Sequence, residues 1–311
     1  MQPQQMQTPP ENQANLAIWW RLMRPHTLTA SFVPVLLGTF LALPYGGINI
    51  SLFLAMLAAS LLIQAATNMI NEYYDFKRGL DTAESVGIGG AIVRHGVSAA
   101  TVLRIALFFF ALALLLGVYI CYESSWWLAL VGIICMLTGY LYTGGPFPIA
   151  YTPFGELVSG LFMGLVIILI SFYIQTLMLT DESVLLSIPI SILIGAILMA
   201  NNIRDREGDR DNGRRTLAIL VGHKRAVRIL AAMFIVAYLW VAAIAAAGME
   251  RPWILLVLLS IPKAIKACRG FDERFASSPS LMMPAMQATA QTNTLFGLLL
   301  CAGLLINFWF Y

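Results

Sequence analysis

Nine long, largely apolar stretches run through the chain, at residues 26–43, 50–72, 99–120, 125–143, 156–179, 184–203, 225–247, 252–268 and 289–311. An α-helix needs about 20 such residues to cross the hydrocarbon of a bilayer, whereas a strand of a transmembrane barrel needs about half that number and alternates in polarity. Within lipid every backbone N–H and C=O must find a partner inside its own segment or barrel. Continuous runs of this length therefore predict an all-α, polytopic membrane protein with nine transmembrane helices. They exclude a barrel. They also exclude a soluble domain, because 59% of the residues are hydrophobic and only 11% charged.

The placement of charge orients the runs. With the N-terminus in the cytoplasm and the chain alternating sides, 18 of the 19 Lys and Arg fall on the cytoplasmic side, leaving Arg251 outside. That asymmetry follows the positive-inside rule and supports an odd number of spans, which puts the C-terminus outside. Residues 1–15, rich in Gln and Pro, lack the basic and apolar regions of a signal peptide and read as a flexible tail, leaving 16–311 as one membrane domain. Cys121, Cys135, Cys268 and Cys301 lie far apart and match no metal or redox spacing.

Two connections on the basic side differ from the short turns elsewhere. The first opens with "NEYYDFKRGLD", residues 71–81, and the second is "NNIRDREGDRDNGRRTLAILVG", residues 201–222. Each runs from an Asn/Asp cluster to a glycine and a basic helix start, and Asp75 and Asp205 lie 130 residues apart. The pattern reads as a weak internal duplication of a helix–loop–helix unit. Asn201, Asp205 and Asp209 fall in one row on a helix, with Gly208 as a candidate terminator before Asp209. Asn68, Asn71 and Asp75 form a second row, and a break at Gly79 returns Asp81 toward it.

Clustered Asp and Asn oxygens suit a hard divalent cation such as Mg²⁺, and the absence of His and Cys from both clusters argues against Zn or Fe. Mg²⁺ favours phosphate oxygens, so two clusters on one side imply a phosphorylated ligand, with Lys77, Arg94, Arg204 and Arg214 available to neutralise the remaining charge. No G-x-x-x-x-G-K-S/T phosphate loop is present, and "GIGGAIVRHG" at 87–96 follows no strand. The D-G-x-x-A-R opening of lipid-alcohol phosphotransferases is missing too. A diphosphate whose other end is lipid remains. A transporter is the competing class, since internal duplication has precedent there, but it predicts charges near the bilayer midplane rather than at one face.

These residues resemble the UbiA superfamily of intramembrane aromatic prenyltransferases. Residues 71–81 are similar to its first Asp-rich motif, N-x-x-x-D-x-x-x-G-x-D, and residues 201–209 to its second, N-x-x-x-D-x-x-x-D. "RLMRPHTLTASFVPVLLG" at 21–38 resembles the first helix of the family. The wide Asp75-to-Asp81 spacing, with "LYTGGPFPIAYTPFGE" at 141–156, resembles the bacterial branch that prenylates 1,4-dihydroxy-2-naphthoate on the way to menaquinone. Hydroxybenzoate, homogentisate and haem remain alternative acceptors.

The resemblance implies a helical bundle around a cavity open to the cytoplasmic side of the cell membrane. It implies transfer of a polyprenyl chain from its diphosphate to the naphthoate, with loss of CO₂. Mg²⁺ would be held by Asp75, Asp81, Asp205 and Asp209, assisted by Asn71 and Asn201. Arg24, Asn68, Lys77, Arg94 and Arg204 are the candidates for contacts to diphosphate or acceptor. Tyr142, favoured over Tyr73, Tyr74 and Tyr140, is the candidate to face the prenyl cation. Polyprenyl diphosphate, the naphthoate and membrane lipid are the expected partners; nucleic acid is not. The tail requires a lateral opening between helices, whose place the sequence leaves open.

Overall fold

The computed structural model describes residues 16–24, 27–80, 90–276 and 278–310; the expected tail at 1–15, and Asp81, lie outside them. Helices α1 (Leu16–Leu22), α2 (Thr29–Leu41), α3 (Ile50–Lys77), α4 (Ala91–His95), α5 (Ala99–Glu123) and α6 (Leu128–Thr143) make up the first half. The second half begins with a single long segment, made of α7 (Gly155–Ser159), a π-helical turn at Gly160–Val166 and α8 (Ile167–Thr176). Then come α9 (Asp181–Asp211), α10 (Leu217–Val221), α11 (His223–Ala246), a 3₁₀ stretch at Pro252–Ser260 running into α12 (Ile261–Gly270), and α13 (Pro279–Phe310). No strand occurs among the described residues.

Each of the nine apolar stretches carries helix, but not nine equal ones. Among the described residues six helices are long and apolar enough to cross a membrane: α3, α5, the Gly155–Thr176 segment, α9, α11 and α13. The Thr29–Tyr45 stretch and α6 are shorter apolar helices. The stretch expected at 252–268 changes from 3₁₀ to α where Pro262 enters, because proline has no N–H to continue a ladder.

Local chemistry sets the helix ends. The Asn49 side chain accepts from the Leu52 N–H to start α3, and Thr180 and Ser183 form a reciprocal capping box at the start of α9. Hydroxyls inside apolar helices are satisfied by their own backbone: Thr39 donates to the Val35 carbonyl, Ser171 to Ile167, Thr289 to Ala285 and Thr292 to Ala288.

Helix α9 is the hub, with 67% of its apolar window buried. Its residues Leu186, Ile190, Leu193, Ile197 and Met199 join the largest core, with α2, α8, α11, α12 and α13. A second core gathers α1, α3, α4 and α5 around Met69, Ile70 and Val102. Between helices in lipid, association rests on close packing rather than on hydrophobic exclusion, so small residues mark the contacts. The π turn illustrates this. A Cβ on Gly164 would lie 2.5 Å from the Ser191 Cα, and Ser191 donates to the Gly160 carbonyl at 2.8 Å.

Candidate active site

Helices α3 and α9 end by the same device. At α3, Gly79 takes a left-handed conformation (φ 72°), its N–H donates to the Phe76 carbonyl, and the Leu80 N–H donates to Asp75. At α9, Gly213 (φ 77°) donates to Arg210, and the Arg214 N–H donates to Asp209. This is the Schellman pattern, in which a glycine just past the helix lets two N–H groups close over the last turn. Each cap therefore sets an aspartate at the same place relative to its glycine, and Gly79 and Gly213 lie 134 residues apart. By these caps the partner of Asp75 is Asp209, one helical turn beyond the Asp205 suggested by motif spacing. Gly208 does not stop α9, which continues through it to Asp211.

The two aspartates meet through one cation. The Arg214 guanidinium donates to Asp75 at 2.7 Å and to Asp209 at 3.0 Å. Its face packs on the Tyr151 ring at 5.2 Å, and the neighbouring Arg215 N–H donates to the Tyr151 carbonyl. Burial works against the charge of Arg214, but the Asp209 and Asp75 carboxylates outweigh it and hold the guanidinium above the ordinary arginine range.

The other predicted residues take distinct places. Asp205 is engaged by its neighbour Arg204 through two hydrogen bonds of 2.7 and 2.5 Å, and Arg204 also reaches the sulfurs of Met283 and Met286. Asn68 is buried and ties α3 to the chain before α2, donating to the Met23 carbonyl and the Thr27 hydroxyl. The Asn71 side-chain oxygen is buried with no partner. Arg24 lies 3.9 Å from the buried Glu72 carboxylate and keeps a buried, unpartnered Nε. Lys77 is exposed, its ammonium 5.9 Å from the Tyr73 ring, and Arg94 is exposed at the end of α4.

A cavity of about 320 Å³ begins beside these groups. Arg24, Asn68, Asn71, Tyr142 and Asn201 line its polar end. Asp75 and Asp205 follow Asn71 and Asn201 by four residues, one turn nearer the helix ends. Beyond that end the lining turns apolar between α3, α5, α6, the π turn and α9, and reaches Cys121, Trp126 and Leu128 at the far end of the bundle. Exposed Leu114, Val118 and Ile133 belong to the same lining, so the cavity meets the outer surface between α5 and α6.

Three further residues organise the site without having been singled out. Glu72 accepts from the N–H groups of Gly90 and Ile92 and so anchors the start of α4. Arg78 donates to the carbonyls of Thr143 and Gly145, and its guanidinium packs against Tyr74 and Tyr151. Tyr151 thus contacts both Arg78 and Arg214. The repeated Asp-x-x-x-Gly of 75–79 and 209–213 announces the twin caps in the sequence, but not these contacts of Glu72, Arg78 and Tyr151.

The donor set is hard oxygen throughout, and the orphaned Asn71 oxygen at the polar end of the cavity fits a divalent cation. Among the described residues, however, no three His, Cys, Asp or Glu side chains stand close enough together to hold a metal by themselves. The set suits a cation whose shell is completed by oxygens of a ligand.

A helical bundle whose two Asn/Asp helix ends meet beside a largely apolar cavity is built to hold an anionic head and an apolar tail together. Residues 31–287 match the UbiA prenyltransferase family, and the chain belongs to that family. The chain is 60% identical over 302 residues, 97% of its length and 96% of the relative's, to the 1,4-dihydroxy-2-naphthoate octaprenyltransferase of Bacillus subtilis (strain 168). It is 26% identical to the protein of the same name from Escherichia coli (strain K12), over 94% of this chain and 96% of that one. It is 31% identical to UbiA prenyltransferase domain-containing protein 1 of Xenopus tropicalis, covering 91% and 80%. A solved UbiA homologue from Archaeoglobus fulgidus, bound to DMAPP and Mg²⁺, superposes with a TM-score of 0.60 at 16% identity, covering 92% of this chain and 99% of that one. The apo UbiA homologue from Aeropyrum pernix K1 gives 0.63 at 18% identity, covering 91% and 98%. These two likenesses concern the fold.

Proposed function

We propose that the protein transfers a polyprenyl chain from its diphosphate to 1,4-dihydroxy-2-naphthoate, releasing CO₂ and diphosphate and giving the quinol form of demethylmenaquinone. The observation that carries this reading is the near full-length 60% identity to the Bacillus subtilis enzyme. The cavity supports it, since its polar end adjoins two aspartate-bearing helix ends and its apolar length suits a prenyl tail.

In this reading Asp75, Asp205 and Asp209, with Asp81 six residues after Asp75 in sequence and Asn71 and Asn201 beside them, would hold Mg²⁺. The cation supplies Lewis-acid withdrawal of charge from the diphosphate. Arg24, Lys77, Arg94, Arg204 and Arg214 serve the anionic groups of donor and acceptor. The allylic C–O bond breaks with its electron pair leaving on diphosphate. The electron-rich ring carbon bearing the carboxylate forms the new C–C bond, and the C–CO₂⁻ bond then breaks, returning its pair to the ring. No proton has to be removed from that carbon. The apolar walls exclude water from the allylic cation, and Tyr142, at the polar end, turns an aromatic group toward it.

The bundle spans the bacterial cell membrane nine times in this reading, with α2, α6 and the 252–270 segment as its short or irregular crossings. The N-terminus and the Asp-bearing ends face the cytoplasm and the C-terminus faces out. The two ends of the bundle support that polarity. One carries the aspartates, Arg24, Arg78 and Arg214, whereas the other joins Tyr45 to Glu182, Asn49 to Gln175 and Asn307 to Glu250.

Purified protein in nanodiscs, given Mg²⁺, a polyprenyl diphosphate and either dihydroxynaphthoate or 4-hydroxybenzoate, tests the reading by mass spectrometry. The expected product arises from the naphthoate and is lighter than the simple adduct by CO₂. Asp75→Asn and Asp205→Asn, or excess chelator, abolish it. Product from hydroxybenzoate alone moves the acceptor to another branch, and full turnover in chelator refutes the metal assignment.

A further inference from the structure

Arg214 holds a position that no other described cation shares. Its main chain is fixed on both sides, by the N–H bond to the Asp209 carbonyl and by the bond from Arg215 to Tyr151. Its side chain alone joins α3 to α9 through carboxylates, at 2.7 Å to Asp75 and 3.0 Å to Asp209. The nearby guanidinium groups are engaged elsewhere, Arg204 with Asp205 and Arg78 with two backbone carbonyls.

A divalent cation arriving alone meets two difficulties. Asp75 and Asp209 alone are too few to replace its water, and Asp205, the other described aspartate of the site, is engaged by Arg204, with no three such groups standing together among the described residues. Asp75 and Asp209 also share the single positive charge of Arg214, so the ion would have to displace a half-buried guanidinium from the two carboxylates it holds. A diphosphate arriving with the ion removes both difficulties. Its oxygens complete the metal shell, and others accept the guanidinium as it leaves the aspartates. Only side-chain torsions of Arg214 need change, because its main chain is held by the helix cap.

The geometry points to Arg214 as a positioning residue that makes metal binding conditional on the donor's diphosphate, exchanging the two aspartates for that anion as metal and donor enter together. This rests on the prenyl-diphosphate reading above. By linkage the same coupling makes the diphosphate bind weakly without metal.

The test uses the full-length protein in detergent, with Mn²⁺ as an EPR-visible stand-in for Mg²⁺ and no acceptor. Mn²⁺ is titrated with and without farnesyl thiolodiphosphate, a donor analogue that ionises slowly. Wild type is expected to bind Mn²⁺ at least about tenfold more tightly with the analogue, in the usual range of coupling between sites. Arg214→Gln is expected to bind Mn²⁺ about tenfold more tightly than wild type when no analogue is present, and to gain less from the analogue. A residue that merely braced the fold would lower metal affinity on removal, so a weaker donor-free affinity in Arg214→Gln overturns the proposal. Equal wild-type affinity with and without analogue also overturns it, while leaving the transferase reading intact. No Mn²⁺ binding under either condition removes both. Should Arg214→Gln fail to elute as a folded species, the wild-type comparison decides alone.

Discussion

Arg78 offers the sharpest test of how the site is assembled. Its guanidinium donates to the Thr143 carbonyl at 2.7 Å and the Gly145 carbonyl at 3.0 Å, joining the end of α3 to the loop after α6. That loop carries Tyr151, against which both Arg78 and Arg214 pack. A hydrogen bond to a charged group contributes about 1.5–3 kcal/mol when buried. Arg78 is half-buried, so two such bonds at the low end, partly offset by water, give about 2 kcal/mol for holding the loop. Arg78→Met keeps much of the side-chain volume and removes both bonds.

Loss of about 2 kcal/mol speeds local opening about thirtyfold, since 1.36 kcal/mol is a factor of ten. The amides of Tyr151 and Thr152, bonded to the Pro148 and Ile149 carbonyls, exchange only when the loop opens. Hydrogen exchange of peptides covering 144–154, read by mass spectrometry, should therefore quicken about thirtyfold while peptides from α9 and α13 hold their rates. Arg78→Lys, with one point donor in place of the fork, should fall between. Unchanged exchange at 144–154 in Arg78→Met would refute the assignment.

Other consequences can be checked with less effort. Gly164→Ala should destabilise the bundle by about 1–3 kcal/mol in thermal or SDS unfolding, because its methyl meets the backbone of Ser191; Ser191→Gly should not rescue it. Glu72→Ala, which strips the acceptor of the Gly90 and Ile92 N–H groups, should cost about 3 kcal/mol and loosen the α4 region to proteolysis. Gly132 lines the cavity with open space where a side chain would go. Gly132→Phe should therefore depress kcat/KM for long-chain donors more than for geranyl diphosphate. Equal losses across chain lengths would show that the tail lies elsewhere.

Much of the architecture could be read in the chain because hydrocarbon leaves the backbone so few options. Every long apolar run carries helix, and Arg24, Arg78 and Arg214 gather around Asp75. Helix extents were less legible. The apolar runs end at 72 and 203, but the helices go on in polar sequence, α3 to Lys77, where the expected break at Gly79 follows, and α9 past the candidate stop at Gly208 to Asp211. The last helix likewise begins at Pro279, ten residues before its apolar part. Asn71, Asp75, Asn201 and Asp209 were visible as rows on helix faces. What Arg78, Glu72 and Tyr151 do was not, because their partners are backbone groups and rings remote in sequence. Nor does motif spacing reveal that Asp75 answers to Asp209, which depends on where each helix stops.

The twin caps have a mechanical consequence. Each aspartate rides on a rigid helix end, locked to its own glycine, so neither acid can drift on its own. The gap between them is instead a reading of how far apart α3 and α9 stand, two rods belonging to different packing cores. Anything that spreads or squeezes those cores, such as lateral pressure in the bilayer or a wide occupant of the cavity, acts on the acids as a caliper acts on its jaws.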